Sequence, residues 1–294
     1  MSKRMLPKRR LENVGLTLTG ACVALVALIV VTLIVMVAQQ GLSAFLVDGL
    51  DFGQFATGTS WVPSDGKFGA LPLIVTSFGV MLLSTLLTLP IALGSAIFVV
   101  EVRPGFGRKV FQPLVELLVG IPSVVYGLIG LTVVNAAMRA IFGEAAGTGA
   151  GILSGAIVLA VMILPTVIGV AESSIRAVPD SYYEGALALG ATRERSVFFA
   201  VLPGAKSGIL AGVVLGIGRA IGETMAVIMV AGNQPIIPKS LGMGVRTLTS
   251  NIVMEMGYAT DLHREALIAT AVVLFVLILI INLCCSALQR GNRQ

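Results

Sequence analysis

Long apolar runs without any charged side chain dominate the pattern of hydrophobic and polar positions along this chain. Five such runs each exceed the roughly 20 residues that cross a bilayer as one helix. A sixth apolar stretch, 207–238, is interrupted only by Arg219 and Glu223. The pattern predicts an all-α, polytopic membrane protein with six transmembrane helices. The predicted spans are approximately Val14–Ala38, Ala70–Val100, Phe111–Met138, Ile152–Ala171, Ser207–Ala231 and Glu265–Cys285.

Composition supports the same class of protein. The 294 residues are 56% hydrophobic and 12% charged, with a mean hydropathy of +0.97. Soluble domains carry roughly a quarter charged residues, so this chain has too little polar surface to cover a globule. A soluble enzyme, a secreted disulfide scaffold and a disordered chain are therefore excluded. Three cysteines, all inside apolar runs, indicate no disulfide framework.

The placement of Lys and Arg predicts the orientation in the membrane. Six spans put both termini on one side, and fourteen of the 20 Lys and Arg residues fall on that side. Positive charge marks cytoplasmic loops, so we expect both termini in the cytoplasm of a bacterial plasma membrane. The apolar stretch after MSKRMLPKRR is too long for a signal peptide, which predicts an uncleaved first helix. The net charge of +5 is not a nucleic-acid signal, because in a membrane protein the placement of Lys and Arg matters, and we expect contact with membrane lipid and not with nucleic acid.

These spans predict the organisation of the chain. Residues 1–38 would form a basic cytoplasmic N-terminus and the first transmembrane helix, and residues 39–69 an extracytoplasmic loop with Trp61 as an interfacial anchor. Residues 70–285 would form a core with five further helices, and 286–294 a cytoplasmic tail. A second outer segment contains RTLTSNIVMEM, which predicts a short helix at the outer interface.

The motifs of common enzymes and metal sites are missing from the sequence. The single histidine, His263, cannot supply a two-histidine zinc site, and there is no P-loop motif. We expect His263 to lie at the outer start of the last helix. The sequence therefore predicts no catalytic residue, no metal site and no cofactor.

Arg219 and Glu223 are the most informative polar residues. At a spacing of four they share one face of a helix and can form an ion pair. Charges near the bilayer centre cost at least about 2.5–3.5 kcal/mol each, so they usually face a pathway or a polar partner. One interpretation is a structural ion pair that fixes helix packing. The other is that Arg219 binds an anion on a translocation path while Glu223 orients it.

Two further patterns concern the backbone of the predicted spans. Gly120, Pro122, Ser123 and Gly127 interrupt the third span and predict either a broken helix that lines a polar cavity or a simple proline kink. In the fifth span a glycine recurs every four residues, which predicts close packing of a neighbouring helix. These glycines are Gly204, Gly208, Gly212 and Gly216.

The predicted inner segment, 172–206, carries a family resemblance. Glu184, Gly185 and Ala186, followed by Gly190 and then Leu202-Pro203, are similar to the EAA signature of ABC-importer permeases. Gly185 replaces the first alanine of that signature, and Ala200 stands where isoleucine is usual. The resemblance implies a coupling helix at about 179–196 that docks on a cytoplasmic ATPase. Arg193 would add a polar contact at the rim of this interface.

Four longer blocks extend the resemblance over about 70–285. They are ELLVGIPSVVYGLIGL, ILPT, IRAVPDSYYEGALALGATR and LGIGRAIGETMAVIMVAGN. These blocks resemble the PstC-type permeases of phosphate-specific ABC importers, which are binding-protein-dependent transport system inner-membrane components. The resemblance implies a type I ABC importer permease fold. It also implies a PstA-like permease subunit as heterodimer partner, two cytoplasmic ATPase subunits and an extracytoplasmic phosphate-binding protein.

We therefore expect the permease subunit of an ATP-driven phosphate importer that works by alternating access and has no ATPase site of its own. The substrate path would contain Arg219 and Glu223. A permease for another oxyanion, such as sulfate or molybdate, remains an alternative. An ion-coupled secondary transporter should show internal inverted symmetry, which is not visible here. A membrane-embedded enzyme lacks its catalytic residues, and the signature argues against a purely regulatory subunit.

Overall fold

The computed structural model describes residues 8–47 and 49–291. The predicted basic segment at 1–7 and the last three residues of the predicted tail lie outside these described residues. Two strands, β1 (Trp61–Val62) and β2 (Lys67–Phe68), form an antiparallel hairpin in which Trp61 pairs with Phe68. The helices are α1 (Lys8–Leu46), α2 (Phe52–Thr57), α3 (Leu71–Ile97), α4 (Pro104–Phe106), α5 (Gln112–Gly120), α6 (Ser123–Ile129), α7 (Asn135–Phe142), α8 (Ile152–Arg176), α9 (Asp180–Ala188), α10 (Arg193–Ser196), α11 (Leu202–Gly222), α12 (Met225–Val230), α13 (Leu248–Glu255) and α14 (Asp261–Gly291).

Six helical segments of the described chain are long and apolar enough to cross a membrane, as the sequence predicts. They are Asn13–Leu46, Leu71–Val102, Ser123–Phe142, Ile152–Arg176, Arg193–Gly222 and Asp261–Ala287. Some of these segments continue an α-helix through a wider π turn, as at Phe98–Val102, Gly130–Val134 and Val197–Val201. The all-α prediction is confirmed, since the hairpin is the one sheet in the described residues.

The fifth predicted span is wrong as a continuous helix, whereas the third contains the interruption that its glycines and proline predict. The third is divided after Gly120, where Ile121 and Pro122 are extended, and α6 begins at Ser123. The fifth is divided after Gly222, where Glu223 is extended with φ −70° and ψ 131°. Apolar content alone carries no signal for these breaks, because the residues on either side are as hydrophobic as the rest of each span.

Helices α3 and α8 form the centre of the bundle and run parallel to each other. The Thr88 hydroxyl on α3 donates a hydrogen bond of 3.1 Å to the backbone oxygen of Ala160 on α8. Helix α11 runs antiparallel to α8 and packs against it through the predicted glycine row. A methyl group on Gly216 would lie 2.7 Å from Val167, and one on Gly208 would collide with Ser174. Close packing through these glycines is therefore confirmed.

The two ends of the bundle differ in structure. We call one end the α9 end, because the short helices α9 and α10 lie there between α8 and α11. At the opposite end, the α13 end, the hairpin and α13 pack together around an apolar cluster that includes Phe55, Phe68, Leu73, Leu248 and Leu267. Helix α1 packs on α14 only near this end, where Gly41 contacts Val272, and its residues 13–37 are exposed.

Candidate functional site

Arg219 lies in the last turn of α11 and reaches across to α8. Its Nη1 donates a hydrogen bond of 3.2 Å to the Thr166 hydroxyl, near the midpoint of α8. The Arg219 side chain is half-buried, and its positive charge acts on the hydroxyl of Tyr126 on α6. Within the described residues, Thr166 is the one hydrogen-bond partner of this guanidinium, and no carboxylate lies within 4 Å of it. A guanidinium has five N–H donors, so most of its binding capacity is unused by the protein.

Glu223 does not pair with Arg219, and the predicted ion pair between them is wrong. Because α11 ends at Gly222, Glu223 leaves the helical spiral, so the spacing of four no longer places the two side chains on one face. The Glu223 carboxylate instead accepts a hydrogen bond of 3.4 Å from the backbone N–H of Ala226, in the first turn of α12. Its backbone oxygen accepts a hydrogen bond from the Thr249 hydroxyl on α13.

The break in the third span is a stabilised feature of the fold. Helix α5 ends at Gly120, and the Tyr126 hydroxyl donates a hydrogen bond of 2.8 Å back across the break to the oxygen of Leu118. The same carbonyl accepts a longer hydrogen bond of 3.4 Å from the Ile121 N–H at the helix end, so the tyrosine adds a second, shorter contact to this cap. The structure thus has a true break, not a simple kink, with Pro122 and Ser123 at its far side.

Gly127, which we grouped with the break, has a different role. It is buried inside α6, where a methyl group would lie 2.7 Å from the Met229 sulfur and 3.0 Å from Ala226. Gly127 therefore allows α6 and α12 to pack closely, which brings the breaks of the third and fifth spans to the same part of the bundle. Sequence spacing could not show this contact, because it joins residues about 100 positions apart.

The residues of the predicted coupling helix lie together at the α9 end. Helix α9 begins after Pro179 and ends before Gly190, which has φ +85°, a backbone conformation that favours glycine. The segment implied as one coupling helix at about 179–196 is therefore divided at Gly190, with α10 beginning at Arg193. Tyr183 packs α9 on the core, whereas Leu189 is 91% exposed. Of the predicted contact residues, Ala186 is half-buried, and the others, Glu184, Gly185, Gly190 and Arg193, are exposed.

A buried polar cluster at the α13 end was not anticipated from sequence. The Glu255 carboxylate accepts hydrogen bonds from the Trp61 indole N–H (2.8 Å), from Arg246 (2.5 Å) and from His263 (2.9 Å). Arg246 also donates to the backbone oxygen of Asn233 and to the Asn251 side chain. Trp61 is 3% exposed, so the expectation of an interfacial anchor is wrong. His263 does lie in the first turn of α14, as expected.

Hydrogen bonding determines the charge of this cluster. Burial raises the pKa of the Glu255 carboxyl, but the hydrogen bonds from Trp61, His263 and Arg246 and the charge of Arg246 outweigh burial. Together they hold the pKa below its ordinary value of 4.5. Glu255 is therefore ionised at neutral pH. The cluster joins the hairpin, the segment after α12, α13 and α14 into one unit.

The described residues contain no group of three or more His, Cys, Asp or Glu side chains placed to hold a metal ion. The polar residues fall into three separate groups: the mid-bundle group around Arg219, the exposed group at the α9 end and the buried cluster at the α13 end. The sequence analysis identified the first two. The third depends on pairs such as Trp61 and Glu255, which are 194 residues apart and have no spacing that a motif could describe.

Comparison with known proteins gives consistent results. Residues 88–294 match the family described as "Binding-protein-dependent transport system inner membrane component". The chain is 40% identical over 274 residues to the probable ABC transporter permease protein YqgH of Bacillus subtilis (strain 168), over 92% of this chain and 88% of that protein. It is 33% identical over 276 residues to the phosphate transport system permease protein PstC of Xylella fastidiosa (strain 9a5c), over 88% and 84%.

The fold also has solved relatives. A bacterial ABC transporter involved in the import of the acidic polysaccharide alginate matches with a TM-score of 0.67 and 18% identity, over 96% of this chain and 98% of that chain. At this identity the match concerns the fold alone. It covers nearly the whole length of both chains, so the first helix belongs to the shared architecture.

Proposed function

Because this chain belongs to the binding-protein-dependent transport system inner membrane components, with a type I ABC importer permease fold, we propose that it is a PstC-type permease subunit that carries inorganic phosphate. Its relatives named for phosphate transport support this substrate. The observation that carries the proposal is the incomplete pairing of Arg219. A guanidinium in the middle of the bundle, with Thr166 as its one hydrogen-bond partner in the described part of the chain, is available to bind an anion.

The position of Arg219 suits a transient binding site. A charge at membrane depth is expensive unless it faces a pathway or a partner, and no carboxylate of residues 8–47 and 49–291 lies within 4 Å of Arg219. Phosphate would gain a bidentate contact from the guanidinium as it loses water. With one arginine and no second cation described beside it, binding would stay weak enough for release, as conduction requires. Glu223 would act indirectly, by capping α12 and fixing where α11 ends.

The two helix breaks also support a substrate site near Arg219. Backbone without helical hydrogen bonds is tolerated at membrane depth where it is buried in protein or lines a polar cavity. Close packing at Gly127 joins the α6 and α12 segments that follow the two breaks, so both breaks belong to one region, and Arg219 lies one turn before the second of them. In transporters, discontinuous helices of this kind commonly form the substrate site near the midplane.

The α9 end would bind the ATPase. Leu187 and Leu189 are exposed there beside Glu184, and exposed apolar side chains with a charged rim are typical of a protein interface. In this proposal α9 and α10 form the coupling helix, the α9 end is cytoplasmic, and both termini lie on that side. ATP would be hydrolysed by two separate subunits and not by this chain.

The remaining partners follow from the same orientation. The α13 end would face the outside and receive the phosphate-binding protein, and a PstA-like permease would complete the path as a heterodimer partner. The cluster around Glu255 supports this assignment, because it makes four segments of the α13 end into one rigid surface. No bound cofactor is part of the proposal.

The test is ATP-dependent uptake of labelled phosphate into proteoliposomes that contain this chain and its partner subunits. Arg219→Ala should reduce uptake by about 10- to 100-fold, because a charged hydrogen-bond donor contributes about 1.5–3 kcal/mol. Lys206→Ala, which removes an exposed positive charge from the same helix, is the matched control and should leave uptake within about twofold.

Three outcomes would contradict parts of the proposal. If Arg219→Ala prevents assembly in the membrane, the arginine is structural. If sulfate or molybdate competes as well as unlabelled phosphate at equal concentration, the substrate assignment is wrong. Uptake that persists without ATP or without the ATPase would overturn the importer function itself.

A further inference from the structure

A pocket of about 260 Å³ lies at the α13 end, between α7, the start of α8 and the loop that follows α12. One membrane-spanning segment ends at Phe142 and the next begins at Ile152, so the pocket lies near the boundary between hydrocarbon and lipid headgroups. Its walls are mainly apolar and include Met138, Phe142, Leu153 and Leu241. Phe142 and Leu241 are 51% and 54% exposed, so the pocket is open to its surroundings.

Backbone contacts fix the shape of this pocket. The Leu153 N–H donates a hydrogen bond of 3.0 Å to the backbone oxygen of Leu241. A methyl group on Gly151 would lie 2.8 Å from the backbone of Gly242, so the loop after α12 lies directly on the start of α8. The Ser154 hydroxyl donates to the backbone oxygen of Gly149 on the remaining wall. The pocket is therefore formed by the fold itself, as is usual for sites that bind small molecules.

The charge beside the pocket is positive. Arg139 is exposed in the last turn of α7, and a methyl group on the pocket residue Gly149 would lie 3.1 Å from its Cγ atom. Lys239 is exposed and directly precedes Ser240, which also lines the pocket. Glu144 is exposed in the turn between α7 and α8. Within residues 8–47 and 49–291, neither cation has a carboxylate within 4 Å.

We propose that this pocket binds one acyl chain of an anionic phospholipid and that Arg139 binds the phosphate of its headgroup. The two parts of such a ligand match the two parts of the site, because the walls are apolar and the nearby guanidinium is unpaired in the described chain. Arginine binds phosphate through two parallel hydrogen bonds, and basic residues at this depth attract anionic headgroups. Inorganic phosphate alone would leave the apolar walls in contact with water.

A lipid in this pocket would connect three parts of the α13 end. The loop that carries Leu241 continues to Val245, whose N–H donates a hydrogen bond of 2.7 Å to the oxygen of Ala231, directly after α12. The lipid would contact α7, α8 and this loop together. A ligand that binds only the folded state stabilises it, so we expect the lipid to raise the thermal unfolding midpoint of the complex.

The first test is native mass spectrometry of the delipidated full complex, titrated with phosphatidylglycerol or with phosphatidylcholine of the same acyl chains. We expect phosphatidylglycerol to bind about fivefold more tightly or better, because one cation meets a net negative headgroup. Arg139→Gln should remove this preference at one site per copy of the chain. Arg264→Gln, at an exposed position in the first turn of α14, is the matched control and should retain it. Equal affinities in the parent complex, or an unchanged preference in Arg139→Gln, would overturn the proposal.

A second pair of variants tests the apolar part of the site. Met138→Trp places a larger side chain in the pocket and should remove one bound phosphatidylglycerol per copy of the chain, together with the rise in unfolding midpoint on lipid addition. Ile141→Trp is the control, because Ile141 is 68% exposed on the same helix and does not line the pocket. A normal lipid count in Met138→Trp would contradict binding in this pocket.

Two other occupants would give different results. If inorganic phosphate displaces the lipid and binds equally well to Met138→Trp, the site recognises a free ion and the proposal is wrong. If Met138→Trp separates this chain from its partner permease without changing the lipid count, the pocket belongs to the subunit interface and the proposal is also wrong. Neither measurement depends on the transported substrate, so failure here leaves the proposed phosphate permease unaffected.

Discussion

Two arginines away from the chain ends, Arg219 and Arg246, are held by the fold in opposite ways. Arg246 donates to Glu255, to Asn251 and to the backbone of Asn233, and only 13% of its side chain is exposed. Arg219 is half-buried and has Thr166 as its one hydrogen-bond partner among the described residues. A fully paired charge builds structure, whereas a charge with unused donors is available to a ligand. Residue type and burial alone would not separate the two roles.

The largest expected difference is in stability. Arg246→Ala leaves Glu255 buried without its main counter-charge, so we expect the free energy of unfolding to fall by about 3–5 kcal/mol. Arg219→Ala removes one hydrogen bond and should cost about 1 kcal/mol. Denaturant unfolding in detergent micelles measures both values. Equal losses in the two variants would show that Arg219 is also a structural residue.

Acid should affect the α13 end first. The pKa of Glu255 is lower in the folded chain than its ordinary value of 4.5, so ionised Glu255 stabilises the fold above pH 4.5. This contribution is lost as the pH falls from 4.5 through the lower, folded pKa. The measurement is the thermal unfolding midpoint between pH 3 and pH 6. Glu255→Gln should be less stable at neutral pH and should show a flatter pH dependence. A parallel dependence in both proteins would contradict this account.

The smallest expected effect is at the partner of Arg219. Thr166→Val keeps the shape of the side chain and removes the hydroxyl that orients the guanidinium. We expect a loss of stability of about 1 kcal/mol or less and a rise in the KM for phosphate uptake of about two- to tenfold, with the charge still present. An effect as large as that of Arg219→Ala would show that Thr166 itself binds the substrate.

Sequence patterns predicted this fold where a local rule applies. Six spans follow from apolar runs, the close packing of α11 follows from glycines at intervals of four, and the break in the third span follows from its glycine and proline residues. The end of α11 at Gly222 has no such signal. The i, i+4 rule assumes a continuous helix, so the predicted Arg219–Glu223 pair failed when the helix stopped one residue too early.

The features that the sequence did not predict have a common physical cause. The Glu255 cluster and the Tyr126 contact across the break depend on residues that meet only after the chain folds. Trp61 looked like an interfacial anchor because tryptophan commonly has that role, but its indole N–H has a buried partner here. Burial and pairing are tertiary properties, and one sequence carries no direct record of them.

The glycine row of α11 makes its fit against α8 nearly periodic. Gly208, Gly212 and Gly216 contact Ser174, Val170 and Val167, so a displacement of α11 by four residues, about 6 Å, would place glycine against similar partners again. The fit of the side chains alone therefore determines the angle between α11 and α8, but it only weakly determines their relative position along the helix axis. The hydrogen bond from Arg219 to Thr166 forms at one axial position of the two helices, so it favours the observed alignment over one shifted by four residues.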